Sequence, residues 1–239
     1  MTRILIIDHD PASWEIVADC FKPEGFVAVW IRDGRNGLQQ ILEPEVAYDM
    51  ILLSVALPGI GGIEILQRIR SAGYTPVIMF AGPDQEEQQI AALEAGADDV
   101  LVKPFSRREL VARVRAILRR TKRHFEVDVR GSPLRIVLGD IELDTGSRTV
   151  RRNGEELALT AAEFGCLEIL IKAGGHTVSR EEFVSHVLGG RPGTYDRSVD
   201  VHVGRLRRKL GDRYDGIERI RTVRGIGYAY AVNGERRGE

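Results

Sequence analysis

The residues best placed for chemistry are Asp8-His9-Asp10, Ser54 and Lys103, each at the end of a short apolar run. Paired carboxylates can hold a hard cation through oxygen ligands, whereas the imidazole of His9 favours other metals. A zinc site at Asp8-His9-Asp10 is disfavoured, because successive strand residues point to opposite faces. Ser54 has no general base beside it in the sequence, so its hydroxyl is a weak nucleophile. Three readings of it stay open. The hydroxyl is satisfied by backbone or Lys103, it is modified by a kinase, or it helps Asp8, His9 and Lys103 bind a small ligand in a remodelled pocket.

A second chemistry lies near the C-terminus, in "DRSVDVHVGRLRRKLG" (196–211). Val199, Val203, Leu206 and Leu210 recur at helical spacing and predict one buried stripe. Ser198, Val201, His202, Arg205, Arg208 and Lys209 are then expected to point away from the core. Arginine can bind guanine O6 and N7 bidentately, and small apolar groups can touch thymine methyls. The competing reading is a solvated cationic face. "RTVRGIGY" (221–228) tips the balance, since it predicts a hairpin with Arg224 at a glycine-flanked tip, suited to a narrow minor groove.

The elements that must position these residues fall into two halves. "RILIID", "FVAVWI", "DMILLSV", "PVIMFAG" and "DVLVKP" are apolar throughout, as strands covered on both faces are. Helical segments between them imply five β–α units, hence a parallel, doubly wound sheet whose ligands gather at the strands' carboxyl ends. Gly96 is the expected C-cap of one helix, and Ser106 with Glu109 opens another at capping-box spacing. Residues 121–134 are charged, contain Gly131 and Pro133, and predict a linker. Beyond it come short strands with turn signals at Gly139-Asp140, Asp144-Thr145-Gly146 and Asn153-Gly154, then three helices (161–174, 179–189, 196–211) and the hairpin.

Composition fits two ordinary domains in 239 residues. Residues 1–120 carry 13 basic and 17 acidic side chains, and the remainder 21 and 18, so the second half is the one expected to meet a polyanion. Cys20 and Cys166 stand alone and predict reduced thiols in a cytoplasmic protein. No run of about 18 apolar residues exists to span a membrane.

With these motifs in place, the second half resembles the OmpR/PhoB-type winged-helix domain. "LTAAEFGCLEIL", "VSREEFVSHVLG", "DRSVDVHVGRLRRKLG" and "IRTVRGIGYAY" stand in the family's order and spacing. The resemblance implies a four-stranded sheet, three helices and a hairpin wing that bind double-stranded DNA. It places Arg197, Ser198, Val201, His202 and Arg205 on the recognition helix, Arg180 at a phosphate contact, and Thr222 and Arg224 on the wing. Ser198 stands where threonine is usual, and Gly204 where a bulkier, often basic residue is frequent. The loop "GGRPGTY" (189–195) is the candidate contact with RNA polymerase.

The first half resembles the receiver domain of the same response regulators, through "RILIIDHD", "YDMILLSVALPGIGGIEILQRIR", "PVIMF" and "ALEAGADDVLVKPFSRRELVARVRAILRR". That resemblance implies a flavodoxin/CheY-like α/β fold and transfer of a phosphoryl group from a histidine kinase to an aspartate. Ser54 occupies the phosphoacceptor position, His9 that of the second metal-binding carboxylate, Ala81 that of the switch hydroxyl and Val100 that of the switch aromatic. Asp8 and Lys103 match. The losses argue against a cognate histidine kinase and for a degenerate site with no metal or other cofactor. Asp98, Asp99, Glu109, Arg113 and Arg120 match positions of inter-subunit ion pairs, while Gln89 replaces the usual basic partner of Glu109. Their alternative is a solvated charged face.

The expected architecture is an atypical receiver and dimerisation domain (1–120), a linker (121–134) and an α+β winged helix-turn-helix domain (135–234). The expected function is a homodimeric, cytoplasmic, DNA-binding transcription regulator, not an enzyme, that acts without aspartyl phosphorylation. The alternatives are a receiver pocket that senses a small ligand and phosphorylation on a substitute residue.

Overall fold

Short runs of apolar and β-branched residues cannot cover themselves, and in the first half they do so by forming the middle layer of a sandwich. The computed structural model describes residues 1–43, 47–122, 135–188 and 196–231; the side chains at 120–122, 196 and 197 lie outside the described set. The chain divides into two units, Met1–Leu118 and Arg119–Glu239. Most of the expected linker, the loop 189–195 and the end of the expected second domain at 232–234 also lie outside the described residues.

In the first unit β1 (Arg3–Ile7), β2 (Val27–Ile31), β3 (Met50–Ser54), β4 (Val77–Ala81) and β5 (Asp99–Val102) alternate with α1 (Pro11–Phe21), α2 (Gly34–Leu42), α3 (Gly62–Ala72), α4 (Glu86–Ala95) and α5 (Arg107–Lys122). The sheet is wholly parallel in the order β2-β1-β3-β4-β5. Every residue of β3 and β4 is buried, as a central parallel strand requires. The strand order reverses between β1 and β3, which opens a crevice at their carboxyl ends. Caps set the helix limits. Asp10 accepts from the Ala12 N–H to start α1, Ser106 Oγ accepts from the Glu109 N–H in the first turn of α5, and Gly96 closes α4 in the left-handed conformation. Helix α5 continues to Lys122, past the expected start of the linker.

The second unit begins with the antiparallel sheet β6 (Arg135–Leu138), β7 (Ile141–Asp144), β8 (Thr149–Arg152) and β9 (Glu155–Glu156). Its turns follow the sequence signals: Asn153 and Gly154 both take positive φ, 52° and 83°, as a tight two-residue hairpin demands. Three helical elements follow, α6 (Ala161–Lys172), α7 (Arg180–Phe183), which widens into a π-helical segment over Val184–Leu188, and α8 (Asp196–Leu210). A short ribbon of β11 (Arg213–Tyr214) and β12 (Ile217–Glu218) follows, β13 (Ile220–Val223) and β14 (Gly227–Tyr230) form the wing, and β10 (Val178–Ser179) pairs antiparallel with β14. Thr160 with Glu163 and Ser179 with Glu182 make complete capping boxes at α6 and α7. Leu143, Val150, Phe164, Leu167, Phe183, Val199, Val203, Leu206 and Tyr228 share one core. Among the described residues no helix is long and apolar enough to cross a membrane.

Candidate functional site

The crevice beside β1 collects the first set of polar residues. Asp8 directly follows β1 and is 0% exposed. Its carboxylate accepts from Lys103 Nζ at 2.6 Å and from the Asp10 N–H at 3.1 Å, while its backbone carbonyl accepts from Trp30 Nε1 at 2.7 Å. Lys103 also lies 3.4 Å from Asp10 Oδ2. Burial disfavours the Asp10 carboxylate, but the Ser13 hydroxyl, the Ala12 N–H and the Lys103 ammonium outweigh it and hold its pKa below the ordinary value. His9 is half-exposed, with Nδ1 3.8 Å from Asp8 Oδ1. Ser54 is buried, and its hydroxyl donates to the Ala56 carbonyl at 3.1 Å. Asp8, Asp10 and Lys103 are therefore brought together, whereas the Ser54 hydroxyl is directed at backbone. Ala81 and Val100 are buried in the sheet.

Two features of this region carried no sequence signal. Trp14 and Trp30 stack at 5.2 Å with planes 5° apart, beside Asp8. In the loop after β4, the Gly82 N–H donates to Gln85 Oε1 at 2.8 Å and Gln89 Nε2 donates to the Gly82 carbonyl at 3.1 Å. Gln89 thus faces its own loop.

In the second unit the buried stripe of α8 is the expected one, since Val199, Val203, Leu206 and Leu210 are all within the core. The outward set needs correction. Ser198 is 3% exposed and His202 1% exposed. Arg205 Nε lies 2.8 Å from Glu163 Oε1 on α6, and Lys209 Nζ lies 2.6 Å from Glu163 Oε2 and 2.8 Å from the Ala158 carbonyl. The reason for Arg205 and Lys209 is that Glu163 on α6 draws them back onto the domain. Burial pushes the fully enclosed Glu163 carboxyl up, but Lys209, the Thr160 N–H and Arg205 more than reverse this and hold it below its usual value. The solvent face of α8 is Asp200 and Arg208, with Val201 and Gly204 half-buried between them. Arg197 lies on α8, but its side chain is outside the described residues.

Asp200 is the centre of a junction that the sequence did not reveal. Its Oδ1 accepts from Tyr228 Oη on β14 at 2.6 Å and from Arg180 Nε on α7 at 3.1 Å. Arg180 also stands over the Tyr228 ring at 5.1 Å, with Arg207 at 5.4 Å from the same ring. Burial and the Asp200 carboxylate push the Tyr228 phenol up to about 12. Arg207 donates to the Thr222 hydroxyl at 2.8 Å, fixing the wing against α8. Arg224 and Ile226 are exposed in the turn between β13 and β14. Helix α8 and the wing turn are thus both tied to Arg180 on α7, through Asp200 and through the Ile226 carbonyl, which accepts from the Arg180 N–H at 3.2 Å.

Residues 4–115 match the response regulator receiver domain, and residues 154–230 match the C-terminal domain of transcriptional regulatory proteins. The chain is 39% identical over 230 residues to the transcriptional regulatory protein CpxR of Escherichia coli K12, covering 95% of this chain and 97% of that one. It is 38% identical to the transcriptional activator protein IrlR of Burkholderia pseudomallei over 96% of both chains, and 36% identical to the DNA-binding response regulator MtrA of Mycolicibacterium smegmatis over 95% of both. This chain belongs to the OmpR/PhoB family of response regulators. Among solved structures, DrrB, an OmpR/PhoB homolog of Thermotoga maritima, aligns with TM-score 0.50 at 27% identity over 96% of this chain and 99% of that one. A RitR mutant shares the fold, with TM-score 0.71 at 24% identity over 97% of this chain and all of that one.

In this response regulator four of the five residues assigned to an inter-subunit face make ion pairs within the subunit, which leaves open what they do between subunits. Asp98 is buried and accepts from Arg70 Nη2 and the Val77 N–H, each at 2.9 Å. Asp99 is buried and accepts from Arg113 Nη1 at 2.6 Å, and Arg113, itself buried, also reaches Glu109 at 3.0 Å. Asp98, Asp99 and Arg113 therefore do not form a solvated charged face in this subunit. Asp99 at the start of β5 meets Arg113 on α5, whereas Asp98 turns to Arg70 on α3. Glu109 is more open, and Arg120 lies on α5 with its side chain outside the described residues.

Proposed function

We propose that this response regulator binds specific double-stranded DNA as a homodimer and does so without aspartyl phosphorylation. The observation that carries the second part is the end of β3. There a buried hydroxyl donates to the Ala56 carbonyl at 3.1 Å, in the position where the family's phosphoacceptor carboxylate belongs. A hydroxyl without a general base is a poor acceptor for a phosphoryl group, and it supplies no anionic metal ligand.

The donor set also does not fit the Mg²⁺ ion of family receivers. Mg²⁺ takes an octahedral shell of hard oxygens. Here the second carboxylate position is an imidazole, and Asp8 is already neutralised by Lys103 Nζ at 2.6 Å. Ala81 offers no hydroxyl and Val100 no ring to respond to a phosphoryl group, and the loop after β4 is held by Gln85 and Gln89. The unmodified sequence must then supply the population shift that phosphorylation supplies elsewhere, a matter of a few kcal/mol.

DNA reading falls to the face made by Asp200, Val201, Gly204 and Arg208 together with Arg224 on the wing, while Thr222 and Arg180 brace it and Arg180 retains its proposed phosphate contact. Two such domains would meet half-sites about one helical turn apart. The dimer would form on the face of α4, β5 and α5. Exchanging the buried pairs of Asp99 and Arg113 for inter-subunit ones changes their number little, so apolar contact must drive it. Selecting duplexes from random DNA with unmodified protein tests binding, and it should return a consensus of two related half-sites. Sedimentation at micromolar concentration tests the dimer; a purely monomeric profile refutes it.

A further inference from the structure

Gly204 sits on the solvent side of α8, between Val201 one turn before it and Arg208 one turn after. Among the described residues, a Cβ built at this position meets no atom within 4 Å outside the helix's own backbone, and the position is ordinary right-handed helix. Neither a tight contact nor a positive φ therefore requires glycine there. Glycine nevertheless weakens a helix interior relative to alanine. Among the described residues nothing in the domain offsets that loss, whereas a bare backbone lets another molecule approach the helix axis closely.

We propose that Gly204 sets how deeply α8 seats in the major groove, and through that depth determines which bases this protein reads. The inference rests on α8 being the DNA-reading helix. Its neighbours on the stripe define the chemistry that depth makes accessible. Asp200, 48% exposed, is aimed by hydrogen bonds from Arg180 and Tyr228. A carboxylate so held accepts from the exocyclic amine of cytosine, and the Val201 methyls meet a thymine methyl. Both side chains are short, so both need the helix close to the base edges. A methyl group at 204 holds the helix slightly away from the base edges and weakens both contacts.

The test uses the full chain and the Gly204→Ala variant, with a labelled duplex selected from a random pool by the unmodified wild-type protein and a shuffled duplex of the same composition. The variant should melt at a higher temperature, because alanine is the better helix former. It should bind the selected duplex at least about tenfold more weakly, the loss of one good base contact, with the shuffled duplex unaffected. A fresh selection with the variant should lose the preference opposite Asp200 and Val201. A Gly204→Ala protein that is stabilised yet keeps both affinity and consensus overturns the proposal. Wild-type protein that selects no consensus at all removes the DNA-reading role of α8 itself, and the inference falls with it.

Discussion

Replacing Arg205 with alanine separates a structural role from a base-reading one. The Glu163 carboxylate is 0% exposed and is held by Arg205 Nε at 2.8 Å, Lys209 Nζ at 2.6 Å and the Thr160 N–H at 2.9 Å. Stranding a buried charge by deleting its partner costs about 3–5 kcal/mol. Here Lys209 and the Thr160 N–H remain, and the Arg205 side chain is 12% exposed, so about 2–3 kcal/mol is the appropriate expectation. With a urea slope of about 2 kcal/mol/M, the midpoint of the second unit should fall by roughly 1 M. Both tryptophans lie in the first unit, so the affected transition is the far-UV change that tryptophan fluorescence does not follow. Adding Glu163→Gln to Arg205→Ala should recover most of the loss, because the stranded charge is gone. An Arg205→Ala protein with the wild-type midpoint but lost DNA selectivity would refute this reasoning and return Arg205 to the groove.

Three further outcomes follow from the same geometry. Lys103→Met removes the ammonium beside buried Asp8 and should destabilise the first unit by about 2–4 kcal/mol, less than the full cost because Lys103 is 22% exposed. The tryptophan emission should shift with it, since Trp30 donates to the Asp8 carbonyl; unchanged stability and emission would contradict the pairing. Tyr228→Phe deletes the hydrogen bond to Asp200 and should cost about 1.5–3 kcal/mol, as bonds to charged groups do, while an absorbance titration of the wild type should show a phenol ionising near about 12 that Asp200→Asn lowers. The Glu163 carboxyl is depressed below its ordinary value of 4.5, so its stabilisation is fully present above that pH and is lost as pH falls through the folded value. Acid unfolding of Glu163→Gln should lack this component, and an identical acid profile would contradict the depressed pKa.

Both units were legible because their local signals agree with their packing. Five continuous apolar runs could only be the strands of a covered parallel sheet, and Asn153-Gly154 could scarcely be anything but a tight turn. The stripe of Val199, Val203, Leu206 and Leu210 was legible for the same reason. What escaped was that polar residues of α8 are also turned onto the domain. Ser198, His202 and Arg205 are polar, so periodicity assigns them to solvent, and the partner that engages Arg205 stands 42 residues earlier in the chain. The capping-box spacing of Thr160 and Glu163 is visible in the sequence, yet it does not show that the same carboxylate also receives Arg205 and Lys209. Asp200 was overlooked because a carboxylate on a basic helix looks incidental until Tyr228 and Arg180 converge on it. The contact of Asp99 with Arg113 within one chain escaped because a resemblance transfers positions but not the side-chain contacts inside the subunit.

Competence of the unmodified protein without aspartyl phosphorylation is what sets it apart from a phosphorylation-driven regulator. It is tested most directly by incubating the full chain with a small-molecule phosphodonor and Mg²⁺, then measuring intact mass and affinity for the selected duplex on the same sample. An unchanged mass and the same dissociation constant before and after treatment are expected. A mass gain of one phosphoryl group accompanied by tighter DNA binding would contradict such competence.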